Sequence, residues 1–138
     1  MKEKYTLALS QLDSIVEDVS QNFNEGVVIL QGDLAAGKTT FVKKIAKKLG
    51  YDEDVTSPTF SLQQCYSEKL FHYDIYNHGL DHFLSLGMLE ELERPGLHFV
   101  EWGSDELVEI LLTADIKVMT IKIEKTSDTT REYRVCIH

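Results

Sequence analysis

The stretch VVILQGDLAAGKTTFVKKIAKKLG, Val27 to Gly50, decides the fold. Val27-Val28-Ile29-Leu30 is an uninterrupted aliphatic run, the pattern of a strand covered on both faces in a parallel sheet. From Lys38 to Leu49 the apolar residues Phe41, Val42, Ile45, Ala46 and Leu49 form one helical stripe, with Gly50 placed to cap it. Between strand and helix, Gly32, Gly37, Lys38 and Thr39 complete the pattern G-x-x-x-x-G-K-S/T. A chain of this length meets that pattern by chance roughly once in a few hundred sequences.

The chemistry explains the spacing. Glycines let the backbone N–H groups of Gly32, Asp33, Leu34, Ala35, Ala36, Gly37, Lys38, Thr39 and Thr40 converge as an anion nest at the positive end of the following helix. The motif therefore predicts a P-loop for a nucleoside triphosphate and magnesium. Lys38 reaches the β- and γ-phosphates as a compact cation, and the Thr39 hydroxyl is a magnesium ligand. The competing reading is a glycine turn before an ordinary helix.

Working outward, Tyr5, Leu7 and Leu9 alternate as an edge strand does, and Ser10 opens a helix carrying Leu12, Ile15, Val16 and Val19 at helical spacing. Thr59 to Tyr66 and Leu70 to Tyr76 read as two extended segments joined at Ser67-Glu68-Lys69, and about His82 to Leu92 reads as a helix before Pro95-Gly96. Leu97 to Trp102 reads as another buried strand and Asp105 to Leu112 as a short helix. Ile116 to Ile123 and Tyr133 to Ile137 read as a hairpin around Thr126 to Thr130. The order predicts one α/β domain over residues 1–138, a three-layer P-loop NTPase sandwich whose mainly parallel central sheet has antiparallel additions.

A P-loop also needs an acid for its metal, commonly at the end of a buried strand. Glu101, after Leu97-His98-Phe99-Val100, is the candidate, acting directly or through water. Asp74 is the rival. Alternation puts His72, Asp74 and Tyr76 on one face and Phe71, Tyr73 and Ile75 on the other, and Asp74 is assigned to orienting an attacking water or to an indirect metal contact. By pattern alone, a surface carboxylate competes with function at both positions. In Thr56-Ser57-Pro58-Thr59-Phe60 the proline drives Ser57 to an extended conformation. Thr59 is then either a γ-phosphate sensor on a loop or part of a turn entering a strand. Lys43, Lys44, Lys47 and Lys48 are a solvated helix face or a contact for RNA or an acidic partner, and Trp102 flanks the nucleotide or packs in the core.

Composition bounds the function. Fourteen Lys plus Arg against twenty-three Asp plus Glu gives a formal charge of −9, which disfavours independent binding to nucleic acid. Cys65 and Cys136 match no zinc or redox spacing and are expected as reduced thiols. The N-terminal residues lack an apolar run of signal-peptide length, and no window approaches a membrane span, so a cytoplasmic location is expected.

GDLAAGKTT, VTSPTF at Val55 to Phe60, HYDIY at His72 to Tyr76 and VEWG at Val100 to Gly103 occur here in that order in a short chain. Together they resemble the bacterial TsaE family over nearly the whole chain. The resemblance implies a cytoplasmic ATPase that uses ATP and Mg2+ in the threonylcarbamoyl modification of adenosine in tRNA. It also implies partners of the TsaD and TsaB types, with tRNA met at most indirectly and no membrane. It gives magnesium to Thr39 and Glu101, hydrolysis and switching to Asp74 and Thr59, and an adenine border to Ser10 and Arg131. Ala35 stands where the family commonly has glycine, and Asn77 where it commonly has arginine.

Two other functions use the same loop. A small-molecule or nucleotide kinase needs cationic side chains around the transferred phosphoryl group, and the sequence offers only Arg94, Arg131 and Arg134. A low-turnover, nucleotide-gated binding module is the other. A GTPase is disfavoured because no N-K-x-D run appears.

Overall fold

In the computed structural model the described residues are 2–8, 12–32, 37–50, 63–67, 69–76 and 79–138. The expectations for Ser10, for Asp33 to Ala36, for Val55 to Phe60 including Thr59, and for Asn77 lie outside them. The elements run β1 (Lys2–Ala8), α1 (Leu12–Asn22), β2 (Gly26–Gln31), α2 (Lys38–Lys48), β3 (Gln63–Ser67), β4 (Leu70–Asp74), α3 (Gly79–Ser85), α4 (Met88–Leu92), β5 (Leu97–Glu101), α5 (Asp105–Thr113), β6 (Val118–Lys125) and β7 (Thr130–Ile137). The strands form one sheet in the order β1-β7-β6-β2-β5-β4-β3. Its four central strands, β6, β2, β5 and β4, are mutually parallel, while β7, β1 and β3 join antiparallel.

The central place of β2 follows from its sequence. Val27, Val28, Ile29 and Leu30 are each 0% exposed, so both faces of the strand must be covered. Val28 and Leu30 pack with α1 and α2 through Ile15, Val16, Phe41, Val42 and Ile45. Val27 and Ile29 face Phe83, Leu92, Leu107 and Leu111 of the helices on the other side. Burying an aliphatic side chain of this size contributes about 1.5–3 kcal/mol, so the two stripes together anchor the three layers.

The single helix expected over about 82–92 is in fact two. Gly87, at φ 76, takes a left-handed turn that ends the first helical run and starts α4, and Glu90 N donates to its carbonyl. The lysine-rich face of α2 is not purely solvated either. Lys44 Nζ lies 3.5 Å from Asp13 and Lys48 Nζ 2.5 Å from Glu17, tying α2 to α1, whereas Lys43 and Lys47 are exposed. Lys48 holds the Glu17 carboxyl below its usual range. Cys65 is exposed, Cys136 is half-buried, and both are free thiols.

The face of β4 and β5 turned toward α3, α4 and α5 contains a buried polar relay. His98 is stacked on Phe71 at 4.6 Å, its Nε2–H donates to the Arg94 carbonyl at 2.7 Å, and its Nδ1 accepts from the Tyr73 hydroxyl at 2.7 Å. Gln63 Nε2 in turn donates to that phenolic oxygen at 3.2 Å. Each atom is satisfied when the imidazole is neutral. Burial pushes His98 below the ordinary histidine range and Tyr73 above the ordinary phenol range.

Because the folded pKa of His98 is lowered, the unfolded chain takes up the proton first. His98 therefore contributes stability that is present above about pH 6.5 and is lost as the pH falls below that value. Urea titrations between pH 8 and 5 should show this loss, with a shallower slope in His98→Gln. Equal slopes in the two proteins would remove His98 as the cause.

Candidate functional site

Ligand sites of open α/β sheets form outside the carboxyl ends of the strands, and here β2, β5 and β4 end side by side. In the parallel ladders Leu30 pairs with Glu101, and Asp74 pairs with the same residue from the other side. β2 ends at Gln31, followed by Gly32, and Gly37 is the N-cap of α2, with φ 106. Among the described residues no side chain caps this eleven-residue helix, whose N-terminus carries the positive end of its dipole.

Lys38 follows the N-cap and is only 5% exposed. Its Nζ donates to the Gly32 carbonyl at 2.7 Å and lies 3.9 Å from the centroid of the Trp102 ring. The ammonium is thus held at the mouth of the loop by the carbonyl and by the face of an aromatic ring. Trp102 reaches that position through an unusual backbone, φ 67, while its N–H still donates to the Leu30 carbonyl at 3.0 Å. Gly103 comes next because nothing larger fits: a Cβ there would lie 2.6 Å from Ile29 Cγ2. Gln31 Nε2 closes the corner by donating to the Gly103 carbonyl and to Asp105 Oδ1, each at 3.1 Å. The Tyr76 ring lies against the indole, centroids 4.6 Å apart and tilted by 38°.

Thr39 points its hydroxyl at Glu101, 3.0 Å from Oε2 and 3.2 Å from Oε1. Glu101 is 3% exposed and ends β5, as a strand-terminal acid should. Thr39 and Glu101 thus bring a hydroxyl and a carboxylate together, two hard oxygen donors of the kind magnesium selects. Among the described residues no group of three or more His, Cys, Asp or Glu could hold a metal.

Other residues named from the sequence fall as follows. Asp74 shares the face of Glu101, and its Oδ1 accepts from the Tyr76 N–H at 2.9 Å. Thr40 is exposed on the first turn of α2. Arg131 lies two strands from β2 at the same end of the sheet, 7% exposed, with Nη1 donating to the Ser127 and Thr130 carbonyls. The structure therefore brings together Lys38, Thr39, Glu101 and Asp74, with Arg131 to one side. Sequence reasoning missed His72, which is 0% exposed with Nε2 2.5 Å from Glu101 Oε2. The available signal was the alternation that placed His72 on the face of Asp74.

A family model described as Threonylcarbamoyl adenosine biosynthesis protein TsaE matches residues 6–133. The chain belongs to the TsaE family. The Treponema pallidum TsaE protein is 42% identical over 108 residues, covering 73% of this chain and 80% of that protein. The Bacillus subtilis one is 38% identical over 109 residues, covering 77% of this chain and 66% of that protein. Both carry the description tRNA threonylcarbamoyladenosine biosynthesis protein TsaE. A crystal structure of Bacillus subtilis YdiB superposes with a TM-score of 0.70 at 27% identity, covering 98% of this chain and 84% of that one. The TsaE family therefore accounts for the fold, and the acid at the end of β5 sits within the matched region. Among the described residues no helix is long and apolar enough to cross a membrane.

Trp102 is the single tryptophan of the chain, which makes its contact with Lys38 directly visible. Lys38→Met removes a cation 3.9 Å from the ring and should change the emission of the folded, nucleotide-free protein. An emission spectrum identical to that of the parent would show that the ammonium does not rest there in solution.

Proposed function

We propose that this TsaE-family chain is the ATP-binding and ATP-hydrolysing component of the tRNA threonylcarbamoyladenosine machinery, acting in the cytoplasm on a TsaB–TsaD complex. The observation that carries the reading is the convergence of Lys38, Thr39 and Glu101 at the start of α2. Loop and first-turn amides bind the phosphates, and Lys38 neutralises the β- and γ-phosphates. Thr39 and Glu101 hold magnesium, which supplies charge neutralisation at the phosphates. Asp74 orients the attacking water from the neighbouring strand end, and Thr59 senses the γ-phosphate. Ser10 and Arg131 border the adenine. A formal charge of −9 favours contact with the tRNA through partner proteins over direct binding.

A phosphoryl-transferring kinase is less well supported, because the chain has only three arginines and two of them, Arg94 and Arg134, are paired with carboxylates close to them in the sequence. Arg94 pairs with Glu91 at 3.4 Å and lies over Phe71, and Arg134 pairs with Glu132 at 2.6 Å. Arg131 is bound within the β6–β7 hairpin. The same shortage implies slow hydrolysis by the isolated chain, with a TsaB- or TsaD-type partner supplying charge or geometry. A nucleotide-gated module with little turnover is the limiting case of that reading.

Calorimetry should show ATP and ADP binding that Lys38→Ala weakens roughly 10- to 100-fold, the range for losing a hydrogen bond to a charged group. Glu101→Ala should keep binding but lose most of its magnesium dependence; unchanged dependence would pass the metal role to Asp74. Phosphate release should rise when TsaB- and TsaD-type proteins are added. Full activity in the isolated chain would eliminate the partner requirement, and no nucleotide binding by the folded protein would end the ATPase reading.

A further inference from the structure

Glu101 is the end of a chain of polar side chains that crosses three strands. On β5 its Oε2 takes a proton donor from His72 Nε2 at 2.5 Å, on β4, and from Thr39 at 3.0 Å. The far ring nitrogen, His72 Nδ1, lies 2.9 Å from the hydroxyl oxygen of Tyr66, on the edge strand β3. The Tyr66 hydroxyl also bonds Gln64 Oε1 at 2.9 Å, and the Tyr66 and His72 rings sit 5.9 Å apart, tilted by 42°. All of this is packed: His72 is 0% exposed and Tyr66 8%.

An ionised carboxylate accepts and cannot donate, so Nε2 carries the proton that faces Glu101. Both ring nitrogens lie within hydrogen-bond distance of a partner, Glu101 at one end and the Tyr66 oxygen at the other, as is common for histidines around metal sites. The asymmetry matters. Oε2 is taken by both His72 and Thr39, whereas Oε1 has its 3.2 Å contact with Thr39 alone among the described residues. The His72 contact thus fixes Oε2, while Oε1 keeps the longer contact with Thr39.

We infer that His72, itself held by Tyr66, is a positioning residue that aims the Glu101 carboxylate at magnesium. The inference rests on the metal role proposed for Glu101 and adds a residue that never touches the ion. A histidine that merely fills the core would leave metal affinity unaffected, whereas loss of an outer partner typically costs 10- to 100-fold in metal affinity.

The test uses three variants of the full chain. His72→Phe keeps an aromatic ring but removes the donor to Glu101, His72→Gln restores an N–H donor, and Tyr66→Phe removes the hydroxyl behind the ring. ATP binding is followed by calorimetry across a magnesium titration and again in excess chelator, with a thermal melt of each variant in chelator. His72→Phe should raise the magnesium concentration for half-maximal effect at least about tenfold, leave metal-free ATP affinity within about twofold, and be largely rescued by His72→Gln. If His72→Phe does not fold, Tyr66→Phe takes its place, with a shift in the same direction of a few-fold. A folded His72→Phe, or failing that Tyr66→Phe, with the parent's magnesium requirement would overturn the inference while leaving the ATPase reading intact. A parent protein that binds ATP with no magnesium dependence would remove the metal role of Glu101, and the positioning role with it. A parent that binds no ATP at all would remove the nucleotide reading as a whole.

Discussion

The arrangement depends on the register between β2 and β5. Leu30 opposite Glu101 brings the last residue of one buried strand beside the first residues of the glycine loop, and the Trp102 N–H extends the ladder by one more bond to Leu30. The side-chain period of a strand is two, so a slip of one residue would move Glu101 to the opposite face and away from Thr39. Several contacts oppose such a slip. Gly103 packs against Ile29 where a side chain would collide, Gln31 bonds the chain beyond Gly103, and Ser104 caps α5 by accepting from Leu107 N. The corner after β5 is thereby tied to the strand that launches the loop.

That register places charge where charge is expensive. Lys38 and Glu101 are 5% and 3% exposed, and taking an ion out of water costs several kcal/mol unless partners replace the lost hydration. Partners are present: the Gly32 carbonyl and the Trp102 face for Lys38, Thr39 and His72 for Glu101. Among the described residues no buried side-chain nitrogen or oxygen lacks one. An apolar pair of equal volume would commonly stabilise as well or better, so stability does not account for retaining these groups. The other face of the sheet offers an internal comparison. His98 is equally buried and equally satisfied, yet its partners are a phenol and a backbone carbonyl, with no carboxylate, and it lies on the side away from α2. Two buried histidines on adjacent strands thus differ in what they bond, and the difference marks which one belongs to the site.

Much of this was legible in the sequence, because periodicity and motif spacing are local. Val27 to Leu30 had to be covered on both faces, the β6–β7 hairpin alternates cleanly, and G-x-x-x-x-G-K-T placed Lys38 and Thr39 at a helix start. The helix break at Gly87 was not legible: a lone glycine inside a helical pattern can be tolerated, and its left-handed turn is a choice made in three dimensions. His72 escaped for a related reason. Its partners, Glu101 and Tyr66, come from strands on either side, and which residues meet across a sheet depends on register, which no single segment contains. Trp102 could be read as flanking or as core, but its contact with Lys38 rests on a positive φ that tryptophan seldom adopts.

That backbone conformation bears on how the loop works in the proposed reading. A non-glycine residue held in the left-handed region costs on the order of 1–3 kcal/mol and persists when its surroundings fix it. Here the ladder bond to Leu30 fixes one side and the close packing of Gly103 the other. The result is that the indole is delivered to Lys38, with the Tyr76 ring packed against it. An ammonium kept against a carbonyl and an aromatic face is already partly desolvated, so an arriving phosphate replaces fixed contacts and need not strip a full hydration shell. The cost of dehydrating the lysine is met during folding, by the same corner that sets Glu101 beside Thr39, and cation and carboxylate are held ready by one stretch of four residues, Val100 to Gly103.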